Sequence, residues 1–414
     1  MSDITAAEPS IARRLIAERD YMLYLIGRTL NTLGIQMQIV AIYWQVYQLT
    51  SDPMDIGFVS LSQFAPMLGL FLVAGYTADR FDRRFVMGLC YLLEAVGGMI
   101  LYALAVAHVT VVWPIFLTMT VFGTARAFSQ PAAQALVPNL VPRDLYPVAV
   151  AWNASAGKLA GIFGPALGGV LYAVVDTHVF LVIGITFALP VLMTMAMRTK
   201  LKIARGEPFN LESVLGGFGY IWKKPVVLGA ISLDLFAVIF AGLPAMLPIF
   251  ASDILHVGSE GLGVMRSMPA VGAALMALAL TQVGSLRQTG RLLFVTVFIY
   301  GLSIIAFGLS TSFWLSLAAL FIYGATDMIS VYIRLTLVQI QTPDEMRGRV
   351  ASVNAVSINA SNELGGFRAG TMAAYVGAVP AVVIGGIVTL AVCLAWAKWF
   401  PDLRRADRLD DNAQ

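Results

Sequence analysis

Ten charged side chains interrupt the long apolar runs of this sequence. They are Arg28, Glu94, Arg126, Lys158, Asp234, Arg266, Asp327, Arg334, Glu363 and Arg368. A charge inside a lipid bilayer is costly, so each needs a partner, a water-filled cavity or a function. A carboxylate there can bind a proton from one side and release it to the other when a neighbouring arginine changes partner. We therefore predict that Asp234 and Asp327 carry protons, and that Arg28 and Arg126 bind an anionic or phenolic small molecule.

The composition indicates that lipid, rather than water, surrounds most of the chain. Hydrophobic residues make up 58% and charged residues 12%, against about a quarter charged in a soluble domain. The net charge of +3 gives no reason to expect a nucleic acid partner. Cys90 and Cys393 lie in apolar runs without ligand spacing, so we expect packing residues rather than a disulfide or metal site. No phosphate-binding loop is present, and neither a cofactor nor an enzymatic activity is expected.

Twelve apolar runs, numbered here as spans 1 to 12, are each long enough to cross a bilayer. They lie near residues 21–49, 54–78, 85–107, 111–136, 146–174, 178–197, 225–251, 260–283, 291–309, 313–337, 350–375 and 378–399. The predicted fold class is therefore an all-α membrane protein with twelve transmembrane helices.

The connections between the spans alternate in charge. Those after even-numbered spans carry arginine and lysine, whereas the others carry acidic residues and histidines. Basic connections stay on the cytoplasmic side, so both termini are predicted to be cytoplasmic. The location that we expect is the bacterial cytoplasmic membrane.

The longest connection, 198–224, divides the chain into six-span halves at 1–197 and 225–414. Its apolar residues have helical spacing, which predicts an amphipathic helix along the membrane surface. A disordered linker is the alternative. The halves are pseudo-symmetric repeats, because several residues recur 201 positions later: Gly123, Pro142, Asn153 and Gly169 correspond to Gly324, Pro343, Asn354 and Gly370. Many secondary transporters are built from such repeats, with the substrate site between them.

A charged turn joins spans 2 and 3. It contains Gly75, Asp79, Arg80, Arg83 and Arg84. This stretch resembles the G-x-x-x-D-R-x-G-R-R motif of the major facilitator superfamily, with Asp82 in place of the second glycine. The resemblance implies a gating role, in which Asp79 braces the first half against the second near span 11. The arginines would add salt bridges between the halves or only mark the cytoplasmic face.

A second motif lies in span 5, where Gly164, Pro165, Gly168 and Gly169 form G-P-x-x-G-G. Small residues at helical spacing allow helices to pack closely, and the Gly-Pro pair predicts a bend. The motif also resembles the fifth-helix motif of proton-coupled exporters in the same superfamily. That resemblance favours export and assigns these four residues to gating.

Longer stretches around Trp44, Arg126, Asp234 and Asn354 resemble the enterobactin-exporter-like branch of the superfamily, which includes macrolide-efflux proteins. The resemblance implies a monomeric, proton-driven exporter of a small molecule such as a siderophore or drug-like compound. In this superfamily spans 1, 4, 7 and 10 line the central cavity. Four of the charged residues and four aromatic residues on these spans are assigned to that cavity: Arg28, Arg126, Asp234, Asp327, Tyr43, Trp44, Phe236 and Tyr323.

Other interpretations of the same residues remain open. Arg126–Asp327 and Arg28–Asp234 could be structural ion pairs between the halves. Glu94 is expected to be a helix–helix hydrogen-bond partner, and Arg334 to extend toward the headgroups. The protein could also import a siderophore or another nutrient, or it could be a membrane sensor that transports nothing.

Overall fold

The computed structural model describes residues 11–199, 211–282 and 288–405. In sequence order the spans are helices Arg19–Thr50, Pro53–Gly69 continued by Phe71–Arg80, Arg83–Val106, Trp113–Leu136, Tyr146–Val175, Val179–Ala196, Pro225–Ala241 continued by Leu243–Ile249 and a π-helical turn Phe250–Ile254, Gly258–Gln282, Thr289–Leu309, Phe313–Gln341, Asp344–Val376 and Ala378–Trp399. The helix order thus follows the twelve predicted spans.

Hydropathy differs among these spans. Seven helical segments of the described chain are long and apolar enough to cross a membrane by length and composition alone. They cover spans 3, 5 to 10 and 12. Span 2 is interrupted at Leu70, while span 1 holds Asn31 and Gln38. Spans 1, 2, 4 and 11 are therefore the ones in which polar groups or breaks reduce the apolar character.

In the described residues, three further α-helices lie outside the spans. Ile11–Ala17 precedes span 1, Pro401–Arg405 follows span 12, and Leu211–Lys223 precedes span 7. The third is the linker helix that the sequence predicts, and its Ile221 packs in an apolar cluster with residues of span 11. Trp222 is 77% exposed, which leaves an apolar surface available to lipid. The domain limits at 197 and 225 stay a prediction, since residues 200–210 lie outside the described part.

Glycines bring the two halves into contact at the ends of the spans beside the acidic connections. A Cβ added at Gly169 in span 5 would lie 2.2 Å from the carbonyl oxygen of Ser259 in span 8. A Cβ at Gly370 in span 11 would lie 2.6 Å from the carbonyl oxygen of Pro53 in span 2. These backbone approaches leave no room for a side chain, so both seams between the halves are closed on this side of the molecule.

A cavity of about 420 Å³ lies between the halves on the side of the basic connections. Span 2 contributes Phe64 and Gly75 to its wall, span 4 contributes Gln130, and span 11 contributes Ala355 and Asn359. Its volume is in the range of small-molecule sites. The structure therefore combines closed seams beside the acidic connections with an open space beside the basic ones.

Candidate functional site

A buried ion pair links spans 3 and 4. Arg126 Nε lies 3.5 Å from Glu94 Oε1, and both side chains are almost fully buried. Arg126 also donates a hydrogen bond to Gln38 of span 1, and Asn31 of the same span donates to Glu94. Glu94 is thus a helix–helix partner, as the sequence indicates, and it holds Arg126 within the first half.

A second buried pair lies in the other half. Arg334 of span 10 lies 2.8 Å from Asp234 of span 7, and it donates a 3.2 Å hydrogen bond to Asn354 of span 11. The prediction that Arg334 extends toward the headgroups is wrong, because only 1% of this residue is exposed. An arginine without a carboxylate at this depth would be strongly disfavoured, so loss of either partner would leave a costly unpaired charge where the three spans meet.

Asp327 lies beside this second pair. It lines a small cavity of about 10 Å³ together with Asp234, Tyr300 and Ser330. Tyr300 donates a 3.0 Å hydrogen bond to Tyr323, and their rings are stacked 4.5 Å apart. This volume is about that of one water molecule. The two predicted proton carriers therefore face one shared cavity within the second half.

The two ion pairs that the sequence suggested between the halves do not form in this structure. Arg126 pairs with Glu94, and Asp234 pairs with Arg334. Arg28 instead donates a 3.0 Å hydrogen bond to Tyr24 Oη, one turn earlier in span 1. Arg126 and Asp234 are therefore each neutralised by a residue of their own half.

The predicted aromatic residues have different surroundings. Tyr43 is 7% exposed and bonds through its hydroxyl to Ser60 of span 2. Trp44 is partly buried against the main apolar core. Phe236 packs against Trp396 of span 12, with 5.3 Å between the ring centroids. Tyr43 and Tyr323 thus lie beside the charged groups, whereas the contact of Phe236 is with the twelfth span.

The charged turn between spans 2 and 3 makes contacts within the first half. Arg80 lies over the ring of Tyr76 at 4.7 Å, and Arg83 donates a 2.9 Å hydrogen bond to the carbonyl oxygen of Ala135 in span 4. The bonds from Arg84 hold the pKa of Asp82 below its usual value. The gating role of Asp79 stays a prediction, because its side chain lies outside the described residues.

The glycines of the span 5 motif face two different helices. A Cβ at Gly164 would lie 2.6 Å from Gln36 Cβ, and one at Gly168 would lie 2.8 Å from Met37 Cα, both in span 1. Gly169 instead faces span 8, and so does the carbonyl oxygen of Pro165, which would lie 2.6 Å from a Cβ at Gly263. The motif therefore packs span 5 within its own half on one side and against the other half on the other.

The roles of two of the ten charged residues are left undecided by the sequence. Arg266 of span 8 lies with its guanidinium carbon 5.3 Å from the ring centroid of Tyr43, across the boundary between the halves. Glu363 of span 11 acts electrostatically on both Arg126 and Arg266. The spacing of the following glycines indicates which way Glu363 faces. Gly366 lies three residues after it and Gly370 four residues after Gly366, so all three share one face of the helix, and both glycines pack against span 2.

Two halves of six helices, with buried charges near their boundary and a cavity on one side, define a secondary transporter of the major facilitator superfamily. The sequence profile of the transmembrane secretion effector family, which lies within that superfamily, matches residues 18–414. The chain belongs to this family, so it is a multi-pass membrane transporter and not an enzyme.

Two of the relatives are named as export proteins. The enterobactin exporter of Citrobacter koseri is 25% identical over 384 residues, covering 92% of this chain and 91% of that protein. Macrolide efflux protein A of Streptococcus pyogenes is 20% identical over 376 residues, covering 89% and 92%. The crystal structure of a D-xylose–proton symporter superposes with a TM-score of 0.70 at 12% identity, covering 93% and 98%, which confirms the twelve-helix fold.

Proposed function

We propose that the protein exports a small molecule across the bacterial cytoplasmic membrane in exchange for protons, by alternating access. The observation that carries the proton coupling is the small cavity shared by Asp234 and Asp327. The names of the two relatives support export, and they favour a siderophore or a drug-like compound as the substrate. In this proposal both termini are cytoplasmic and the unit that transports is the monomer.

Charge counting explains why a proton would bind at this cavity. Arg334 compensates Asp234 at 2.8 Å. Asp327 has no carboxylate–cation pair of its own among the described residues. With both carboxylates ionised the group has one negative charge in excess, and a single proton removes it. Burying an uncompensated charge is unfavourable, so the occluded states of the cycle favour the protonated form.

The arrangement of the halves suggests how this proton is linked to movement. Lys158 is exposed on span 5, and its charge acts on Asp327 across the boundary between the halves. Ionised Asp327 is attracted to the first half, whereas protonated Asp327 is not. Proton binding from the outside and release to the cytoplasm would therefore alternately weaken and restore this attraction. The substrate would enter the 420 Å³ cavity from the cytoplasm and leave on the opposite side.

Reconstitution into proteoliposomes tests the proposal. We expect an imposed proton gradient to drive a catecholate siderophore or a macrolide against the direction of proton flow. Asp327→Asn should lower gradient-driven transport at least about tenfold, while substrate exchange without a gradient continues. Asp144→Asn is the matched control, because Asp144 lies at the surface in a pair with Arg14.

The alternatives give different results in the same assay. Substrate movement in the direction of the protons would indicate an importer. A membrane sensor would move neither compound and would keep its function when Asp234, Asp327 and Arg126 are neutralised. Unchanged gradient-driven rates in Asp327→Asn would show that Asp327 does not carry the proton.

A further inference from the structure

Arg266 lies at the boundary between the halves without a carboxylate partner. Its guanidinium carbon is 5.3 Å from the centroid of the Tyr43 ring, and it donates a 3.1 Å hydrogen bond to the carbonyl oxygen of Pro244. Among the described side chains, no ion pair joins it to an aspartate or glutamate. The other arginines buried near the boundary differ, since Arg126 and Arg334 each have a carboxylate partner.

Glu363 is the carboxylate that acts electrostatically on Arg266. It is half-buried in span 11, and its charge also acts on Arg126. Three residues later, a Cβ at Gly366 would lie 2.7 Å from Ser60 Oγ, the same atom that bonds to the Tyr43 hydroxyl. This face of span 11 therefore lies against the tyrosine on which Arg266 is stacked.

The group formed by Tyr43, Arg266 and Glu363 does not line the 420 Å³ cavity itself, but it lies about one helical turn beyond the lining. The lining includes Phe64, one turn after the Ser60 that bonds to Tyr43, and Asn359, one turn before Glu363. Beyond the group, toward the acidic connections, the glycine contacts of spans 5 and 8 and of spans 2 and 11 close the seams. A molecule that fills the cavity from the open side therefore approaches these three residues.

We propose that Arg266 binds the negatively charged group of a planar aromatic substrate, that the Tyr43 ring beneath the guanidinium holds Arg266 in position for this contact, and that Glu363 is the internal anion that the substrate replaces. The inference rests on the proposed transport of a small molecule, and it holds for either direction of transport. Guanidinium groups bind carboxylates through paired hydrogen bonds, and the guanidinium plane also stacks on flat aromatic rings.

The charges of Arg266 and Glu363 determine whether a substitution weakens or strengthens the binding of an anion. Glu94 already compensates Arg126 at 3.5 Å. Arg266 and Glu363 are therefore the remaining opposite charges of this group, and their charges sum to zero when the site is empty, although they are not in contact as an ion pair. An incoming anion is attracted by Arg266 and repelled by Glu363. Removing the arginine should weaken anion binding, and removing the glutamate charge should strengthen it.

The test measures binding of 2-naphthoate and its neutral isostere 2-naphthamide to the purified full-length protein in detergent, by equilibrium dialysis. We expect naphthoate to bind more tightly than naphthamide. Arg266→Gln should weaken naphthoate binding about tenfold to a hundredfold and leave naphthamide binding nearly unchanged. Arg266→Lys should restore part of the affinity, and Glu363→Gln should tighten naphthoate binding several-fold.

Arg368→Gln is the matched control, because Arg368 is another arginine inside the membrane but donates to the carbonyl oxygen of Phe240 within its own half. Equal binding of the two probes to the wild type, or equal naphthoate binding by Arg266→Gln and the control, would overturn the proposal. So would weaker naphthoate binding by Glu363→Gln. Because no gradient is applied, a failure here leaves the proton coupling untouched, and a failure of gradient-driven transport leaves this binding result valid.

Discussion

Gly169 offers the sharpest test of how the halves close against each other. In Gly169→Ala the new Cβ would lie 2.2 Å from the carbonyl oxygen of Ser259, whereas ordinary contacts begin at 3.4 Å. Spans 5 and 8 would have to separate by about 1.2 Å at this point, and Gly263 leaves no alternative because its Cα would be 2.9 Å from the same Cβ.

This strain exists only while the two spans are packed together. Inserting a methyl group into a tight backbone contact costs about 1–3 kcal/mol. A free energy of that size changes the ratio of two conformations about 5- to 150-fold. We therefore expect Gly169→Ala to shift the protein toward the conformation in which the ends of spans 5 and 8 beside the acidic connections are apart, while the protein still folds.

Distance measurements by double electron–electron resonance can detect this shift. Spin labels would be attached at His178→Cys, after span 5, and Glu260→Cys, at the start of span 8, in a protein whose Cys90 and Cys393 are replaced by alanine. We expect a longer distance to become populated in Gly169→Ala.

Gly157→Ala is the matched control on the same helix, because a Cβ there has no atom within 4 Å. The control should give the wild-type distance distribution. Identical distributions in Gly169→Ala and the wild type, or the same shift in both alanine variants, would refute the reasoning.

Two further predictions concern stability. Arg334→Leu should lower the free energy of unfolding by about 3–5 kcal/mol, because it leaves the buried carboxylate of Asp234 without a counter-ion; the additional change Asp234→Asn should recover much of that loss in a thermal melt. At the surface, the bonds from Arg84 lower the pKa of Asp82 from its usual value of 3.8, so the stabilisation is present above about pH 4 and is lost as the pH falls through the folded-state pKa. The difference in Tm between wild type and Asp82→Asn should therefore be small and positive near neutral pH, and it should vanish in acid.

The sequence alone predicted the helices and their order because apolar length is a direct physical requirement of the bilayer. It could not predict the partners of the buried charges. Successive residues in a helix point about 100° apart, so an uncertainty of one residue in a span changes the neighbour that a side chain faces. Arg334 is an example: its place near the cytoplasmic end of span 10 predicts a side chain that reaches the headgroups, although it pairs with Asp234 at 2.8 Å.

Small residues carried more information about contacts than the charges did. Gly97 and Gly98 follow Glu94 by three and four positions, and Cβ atoms there would meet Phe122 of span 4 and Gly184 of span 6. This face of span 3 is therefore buried between helices, and Glu94 lies on it. The position of Phe236 against Trp396 had no comparable signal, since an aromatic residue suits lipid, helix packing and a binding cavity equally well.

The internal pairing of the charges has a consequence for the rate at which the halves can move. The ion pairs of Arg126 and Arg334 each join two residues of one half, so rocking need not break either pair. The contacts at the closed seams are made by glycine backbones, which separate without leaving a charge in lipid. The height of the barrier then depends mainly on charges that act across the boundary, such as Glu363 on Arg126. A bound proton or an anionic substrate can change these charges. The empty, deprotonated transporter would therefore stay in one conformation, whereas the loaded transporter can change conformation.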